Sequence, residues 1–99
     1  MSMTLSGMKT SEIIPIRDWC DILQLAEESG WNAMGTKAPG DEERDFGYVS
    51  NDGQLIEVED ARNLAAVLER AFPRLGTEQA RIEVDKVIRV CKEGGVRLY

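Results

Sequence analysis

Between residues 59 and 72 the apolar positions recur at helical spacing. Ala61, Leu64, Ala65, Leu68, Ala71 and Phe72 fall on one stripe, with Ala66 off it, as the 3.6-residue period of an amphipathic helix requires. Glu59 and Asp60 stand in its first turn, and Arg70 and Arg74 near or just past its end, the arrangement that complements the helix dipole. Pro73 ends the helix. Immediately upstream the period shortens to two. Phe46, Tyr48 and Ser50 alternate with Gly47 and Val49, and Gln54, Ile56 and Val58 alternate with Leu55 and Glu57, around Asn51-Asp52-Gly53. That pattern predicts a β-hairpin running directly into the helix. Phe46, Tyr48 and Ile56 face the core in this reading, and Val49 and Leu55 lie on the other face.

Two more helices flank this unit. Ile16, Trp19, Ile22, Leu23 and Ala26 share a face, with Cys20 at its edge and Leu25 pointing away. Asp18 is the expected N-cap. Gly30 is placed as the residue after the cap, where a left-handed backbone suits glycine. Trp31 is expected to fold back onto this helix, only partly covered. Thr77 caps a third helix reaching about Glu93, with Ala80, Val84, Val87, Ile88 and Cys91 as its stripe and Ile82 turned away. Glu83–Lys86 and Asp85–Arg89 are spaced as surface ion pairs. Gly94-Gly95 stops this helix. Val96–Tyr99 reads as a closing strand with Val96 and Leu98 inward, pairing with the hairpin or with another subunit's edge.

The segment Glu12–Ile16 suits an edge strand, since Pro15 lacks a ladder donor. Residues 1–11 are weakly patterned and expected to form a flexible tail, leaving 12–99 as one domain. Trp31–Asp45 reads as a solvated loop. The fold class expected is α+β: a small antiparallel sheet, made of the central hairpin, the C-terminal strand and an N-terminal edge strand, packed against three helices.

Composition narrows the chemistry. The chain of 99 residues has 18 acidic and 12 basic side chains, a net charge of −6. Such a balance disfavours a phosphate-tracking nucleic-acid binder and suits a soluble domain. No apolar run approaches the roughly 20 residues of a membrane span, and residues 1–10 lack the apolar centre of a signal peptide. A cytoplasmic protein is expected. The absence of histidine removes the usual general base and zinc ligand. Cys20 and Cys91 form no CxxC pair and read as buried free thiols. No nucleotide-binding glycine motif or Ser-x-x-Lys spacing occurs. The expectation is a protein without catalytic residues, metal or cofactor, and with neither nucleic acid nor membrane as partner.

Two sets of residues are left without a role in the predicted core. Leu25, Trp31, Val49, Leu55, Ile82 and Tyr99 form a candidate interaction surface, being apolar or aromatic anchors of the kind that dominate interfaces. They point to a protein–protein interaction module, self-association into a homodimer being its leading form. Glu27 and Glu28 lie at the helix end where the dipole disfavours anions. With Asp41, Glu42, Glu43 and Asp45 they form a candidate acidic patch. The alternative they support is an acidic ligand-binding or sequestering module acting on a cation or a basic partner. The 41–45 run lacks the alternating ligand spacing of a calcium loop.

Several local signatures occur together: Ser29-Gly30-Trp31, Gly35-Thr36, Tyr48…Asn51…Gly53-Gln54, Asp60-Ala61 with Leu64-Ala65 and Leu68, and Cys91…Gly94-Gly95. In these, over about residues 12–99, the chain resembles a family of small uncharacterised bacterial proteins of unknown function. The resemblance implies a bacterial, cytoplasmic, single-domain protein and transfers no catalytic or binding residue.

Overall fold

The chain begins with a strand, β1 (Ser2–Ser6), which turns back into β2 (Ser11–Pro15). The computed structural model describes residues 1–99. Helix α1 (Ile16–Glu28) follows directly, then β3 (Thr36–Lys37), β4 (Gln54–Ile56), α2 (Val58–Ala71) and a short 3-10 turn at Phe72–Arg74. Helix α3 (Glu78–Lys92) and β5 (Val96–Leu98) complete the order. The strands form one antiparallel five-stranded sheet in the order β2-β1-β5-β4-β3. The three helices cover one face of it, so the chain is an α+β fold, as its patterning indicates. No helix is long and apolar enough to cross a membrane.

The N-terminal segment departs most from expectation. Instead of a tail, Ser2–Ser6 is an interior strand, paired with β2 on one side and β5 on the other. Met3 and Leu5 point into the core, fully buried, and Ser2, Thr4 and Ser6 alternate outward. The ladder runs on into α1, where the Ile16 amide donates to the Met1 carbonyl at 3.1 Å. Pro15 precedes the helix, Asp18 lies in its first turn instead of capping it, and Ile16 N–H is satisfied by the strand. The far turn of this hairpin is tied to the end of α3. Glu93 Oε1 accepts from the amides of Lys9 at 2.9 Å and Thr10 at 3.0 Å, and Oε2 accepts from the Thr10 hydroxyl at 2.6 Å.

The predicted hairpin of residues 46–58 does not form. Strand β4 pairs with β5 and with β3, and residues 47–50 make a turn closed by Ser50 N to Gly47 O at 3.0 Å. Tyr48 turns inward and Phe46 outward. The C-terminal strand lies in the sheet's interior, bonded on both sides, and is not free to join another subunit's edge. The true edges are modest. At β2 the Ile13 carbonyl accepts from Lys86 Nζ at 3.4 Å and Pro15 has no donor. The two-residue β3 is covered by a backbone bridge between Thr36 and Asp45.

The helices follow their stripes more closely. Trp19, Ile22 and Ala26 of α1 are buried, as are Ala61, Leu64, Ala65, Leu68 and Ala71 of α2 and Val84, Val87, Ile88 and Cys91 of α3. Val67, Val90, Asp60 and Glu83 join them, widening both stripes. Thr77 caps α3 by accepting from Ala80 N at 3.1 Å. The ion pairs Lys86–Glu83 and Arg89–Asp85 form at 3.2 and 3.1 Å. Of the cysteines, Cys91 is buried but Cys20 is exposed, because its place at the edge of the α1 stripe falls on the solvent side.

Candidate functional site

The interior contains one polar cluster. Helix α1 ends in a glycine cap: Gly30 has φ 106°, Gly30 N donates to Glu27 O at 3.2 Å and Trp31 N to Ala26 O at 2.9 Å. The two bonds satisfy carbonyls left over at the helix end and turn Trp31 back into the core, where it is 5% exposed. Its indole N–H donates to Asp60 Oδ1 at 3.0 Å, as does the Met34 amide at 3.4 Å. The Tyr48 hydroxyl donates to Asp60 Oδ2 at 2.5 Å and accepts from Gly35 N at 2.8 Å. Trp19 Nε1 donates to the Tyr48 carbonyl at 2.6 Å. The Trp31 and Tyr48 rings meet edge to face, with centroids 5.1 Å apart. Beside them the Thr36 hydroxyl donates to Gln54 Oε1 at 2.6 Å and accepts from Gly47 N at 2.9 Å.

This cluster is closed. No buried side-chain nitrogen or oxygen lacks a partner. Burial, reinforced by the bond to Asp60, pushes the Tyr48 phenol well above its ordinary 10.0, and burial pushes the Cys91 thiol up to about 12. Both stay protonated at neutral pH and present no nucleophile. The cluster holds the long segment between α1 and β4 against α2, in place of strand pairing. Sequence reasoning assigned Asp60 to the helix dipole and missed this role. The available signal was its position, since Asp60, Leu64, Val67 and Ala71 continue one buried stripe.

The sheet's second face is uncovered. The register brings Thr4 opposite both Ile13 and Tyr99, the latter through reciprocal backbone bonds of 2.9 Å. Leu55 lies between Arg97 and Lys37. Alternation therefore puts Ile13, Thr4, Tyr99, Arg97, Leu55 and Lys37 on one surface. Ile13 is 62% exposed and Tyr99 51%. Asp45 bridges Thr36, whose side chain points inward, so its neighbours Arg44 and Phe46 extend the open face at the β3 edge. Phe46 is 74% exposed.

A groove of about 660 Å³ opens at one end of this face, with Leu55, Gly95 and Arg97 lining it beside Met8 of the first hairpin turn, Met34, Arg44 and Val58. Glu57 on its rim bridges Arg44 at 2.7 Å and Lys37 at 3.3 Å, and the bond from Arg44 holds its carboxyl below the ordinary 4.5. Arg97 is different. It is the one arginine of the chain that is not exposed, it forms no ion pair, and its Nη1 donates only to the Gly53 carbonyl at 2.9 Å. In a chain of net charge −6 the open face thus carries Lys37, Arg44 and Arg97 against Glu57, and Glu59 also lines the groove.

The residues expected on an interaction surface separate into several places. Leu55 and Tyr99 share the open face. Val49 is exposed, but on the turn at 47–50 and not on a strand. Trp31 is buried, because its indole N–H finds Asp60 inside, and it offers no surface. Leu25 is half-buried in a cleft between α1 and α3 with Leu75, and Ile82 stands exposed on α3. Ile13 and Arg97 were not among the candidate surface residues, and Phe46, expected to face the core, is exposed instead. Of the acidic residues, Glu27 and Glu28 are exposed at the end of α1, and Asp41, Glu42, Glu43 and Asp45 are exposed in the loop before Phe46. No three acidic or cysteine side chains converge where they could hold a metal ion. The chain matches no protein-family model, no curated protein and no solved structure.

Proposed function

We propose that this chain is a non-enzymatic, self-associating interaction module that docks a second copy on the open face of its sheet. The observation that carries the reading is the exposure of Ile13, Tyr99 and Phe46, with half-buried Leu55 on the same surface, on a sheet whose opposite face is packed. An antiparallel sheet tolerates one wet face, and such a face reads as polar alternation. The serines and threonine of β1 obey that rule. Ile13, Leu55, Tyr99 and Phe46 break it, and they do so on both sides of β1.

Charge supports a second copy as the occupant. The acidic residues Asp41, Glu42, Glu43 and Asp45 sit beside the β3 edge, and the basic groups Lys37, Arg44 and Arg97 lie on the face itself. Two copies placed face to face can set the acidic loop of each against the basic groups of the other, of which Lys37 and Arg44 lie at the β3 edge and Arg97 on the central strand β5. The acidic loop enters this reading as part of the interface. Five strands spaced by about 4.8 Å and two to five residues long give a face of about 300 Å² in plan. Two such faces with their projecting side chains bury roughly 1,000 Å², the lower end of specific interfaces. The dimer is therefore weak and concentration-dependent.

Size-exclusion chromatography with light scattering over a range of concentrations tests the reading. The mass rises from 11.1 kDa toward twice that value, and the Ile13→Asp, Tyr99→Asp double variant stays at the monomer mass. A wild-type protein that stays monomeric at the highest concentration overturns it.

A further inference from the structure

We infer that the cleft between α1 and α3, on the helical side of the sheet, is a binding site for a linear aliphatic diamine. The inference does not rest on the open face, which is turned the other way.

The floor of the cleft is hydrocarbon. Ile22 and Leu25 of α1, Leu75 between α2 and α3, and Val84 of α3 line a space of about 310 Å³, within the size of small-molecule sites. Leu25 and Leu75 are only half-buried. The rim is acidic. Asp18 and Asp21 stand on the α1 side and Glu83 on the α3 side, and no lysine or arginine lines the cleft. Neither aspartate forms an ion pair, even though Arg17 lies one turn before Asp21. Arg81, at the edge, is tied to the Leu75 carbonyl at 2.9 Å.

Glu83 supplies the second observation. The residue is 5% exposed, and a carboxylate so far out of water needs its lone pairs filled. Its Oε1 accepts from Gln79 at 3.0 Å and from Lys86 at 3.2 Å. Its Oε2 is reached by Lys86 alone, at 3.4 Å, longer than the roughly 2.7–3.2 Å of a full bond. Lys86 is also shared with the Ile13 carbonyl at 3.4 Å. A buried acid oxygen is thus short of a donor in the wall of an acidic cleft.

The chemistry of the occupant follows from where the charges lie. Asp18, Asp21 and Glu83 carry three negative charges and Lys86 offsets one, which leaves two. No three acidic side chains converge where they could hold a metal ion, so a compact dication does not match. The carboxylates are divided between two helices, whose packed axes are about 8–10 Å apart, with hydrocarbon between them. A short alkyl chain with an ammonium at each end has the same order of groups. One ammonium donates to Glu83 Oε2 and the other to Asp18 and Asp21, each with three N–H groups to share, and the methylenes cover Leu25 and Leu75.

The test is a titration of the full chain with cadaverine, followed by amide and methyl chemical shifts. Saturable shifts are expected at Ile22, Leu25, Leu75 and Val84. Pentylamine, with one charge, binds at least about tenfold more weakly, and pentanol gives no saturable shift. Asp21→Asn and Glu83→Gln each weaken cadaverine binding by at least about threefold. Asp85→Asn, which removes a carboxylate paired with Arg89 outside the cleft, leaves it unchanged. Thermal melting confirms that each variant folds, and because Asp21 is exposed its variant reads binding even where Glu83→Gln disturbs packing. No saturable shift at millimolar cadaverine overturns the site. Shifts centred on the 41–45 loop, or indifferent to both Asp21→Asn and Glu83→Gln, mark diffuse counter-ion attraction and also overturn it. Pentylamine binding as tightly as cadaverine overturns the diamine and assigns the cleft to a single ammonium, such as a lysine side chain.

Discussion

The phenol of Tyr48 donates to the carboxyl of Asp60 at 2.5 Å in the interior, and this bond connects the irregular middle of the chain to helix α2. The segment between α1 and β4 contains only a two-residue strand. Its order comes from side chains that satisfy one buried carboxyl.

Removing that carboxyl should be costly. Asp60→Ala strands the Trp31 indole N–H and the Tyr48 hydroxyl, and Tyr48→Phe strands the Gly35 amide and one Asp60 oxygen. Each unsatisfied buried group costs about 1–3 kcal/mol, so either change should lower stability by about 2–4 kcal/mol out of the 5–15 typical of such a domain. Glu59→Ala, one residue away and exposed, should stay within about 0.5 kcal/mol of wild type. Urea denaturation of the three variants checks this. Equal effects for Glu59 and Asp60 would reduce Asp60 to a helix-dipole residue.

The Glu93 clasp predicts a pH dependence. Hydrogen bonds from the Thr10 hydroxyl and the Lys9 and Thr10 amides hold its carboxyl below the ordinary 4.5. A lowered folded-state value means the clasp contributes fully above the unfolded value and is lost as pH falls through the folded one. The stability gap between wild type and Glu93→Gln should be constant near neutral pH and close on acidification below 4.5. Thermal melts of both proteins along a pH series measure it. A gap that widens in acid would contradict the sign.

Gly7 tests the same clasp by steric means. A Cβ at this position would stand 2.6 Å from both Glu93 Oε1 and Val90 Cγ2. Gly7→Ala should cost about 1–3 kcal/mol by overpacking. Combining it with Glu93→Gln should cost less than the sum, because both changes act on one contact. Strict additivity in chemical denaturation would separate Gly7 from the clasp.

The cysteines should differ in reactivity. Cys20 is exposed, and Cys91 is buried with its thiol pushed up to about 12. Since the thiolate is the reactive form, a thiol reagent at neutral pH should modify Cys20 alone in the native protein, and both cysteines after unfolding. Mass spectrometry of the modified chain counts the adducts. Rapid native labelling of Cys91 would show that its end of α3 opens.

What the sequence made legible was local. The stripes of α2 and α3, the Thr77 cap and the Gly30 cap depend on neighbours within one helical turn, and each is present. Strand β1 was not legible. Ser2-Met3-Thr4-Leu5-Ser6 does alternate, but its partner β5 lies at the opposite end of the chain, and five residues carry little pattern on their own. The hairpin failed for a related reason. Asn51-Asp52-Gly53 is a genuine turn, with Gly53 at φ 93°. Yet Tyr48 gains more by reaching Asp60 than residues 46–50 gain by pairing with β4, whose two edges β5 and β3 take. Of the candidate surface, Leu55 and Tyr99 were readable from alternation. Ile13, Phe46 and Arg97 needed the sheet order before they could be seen to share a face.

The central claim, that the open sheet face joins two copies, is tested most directly by amide chemical shifts recorded as the protein is diluted from millimolar to micromolar concentration. The account predicts concentration-dependent shifts at Thr4, Ile13, Phe46, Leu55, Arg97 and Tyr99, and constant shifts along the outer surfaces of α2 and α3. Shifts confined to those helices, around Ile82 for example, or none at any concentration, would contradict it.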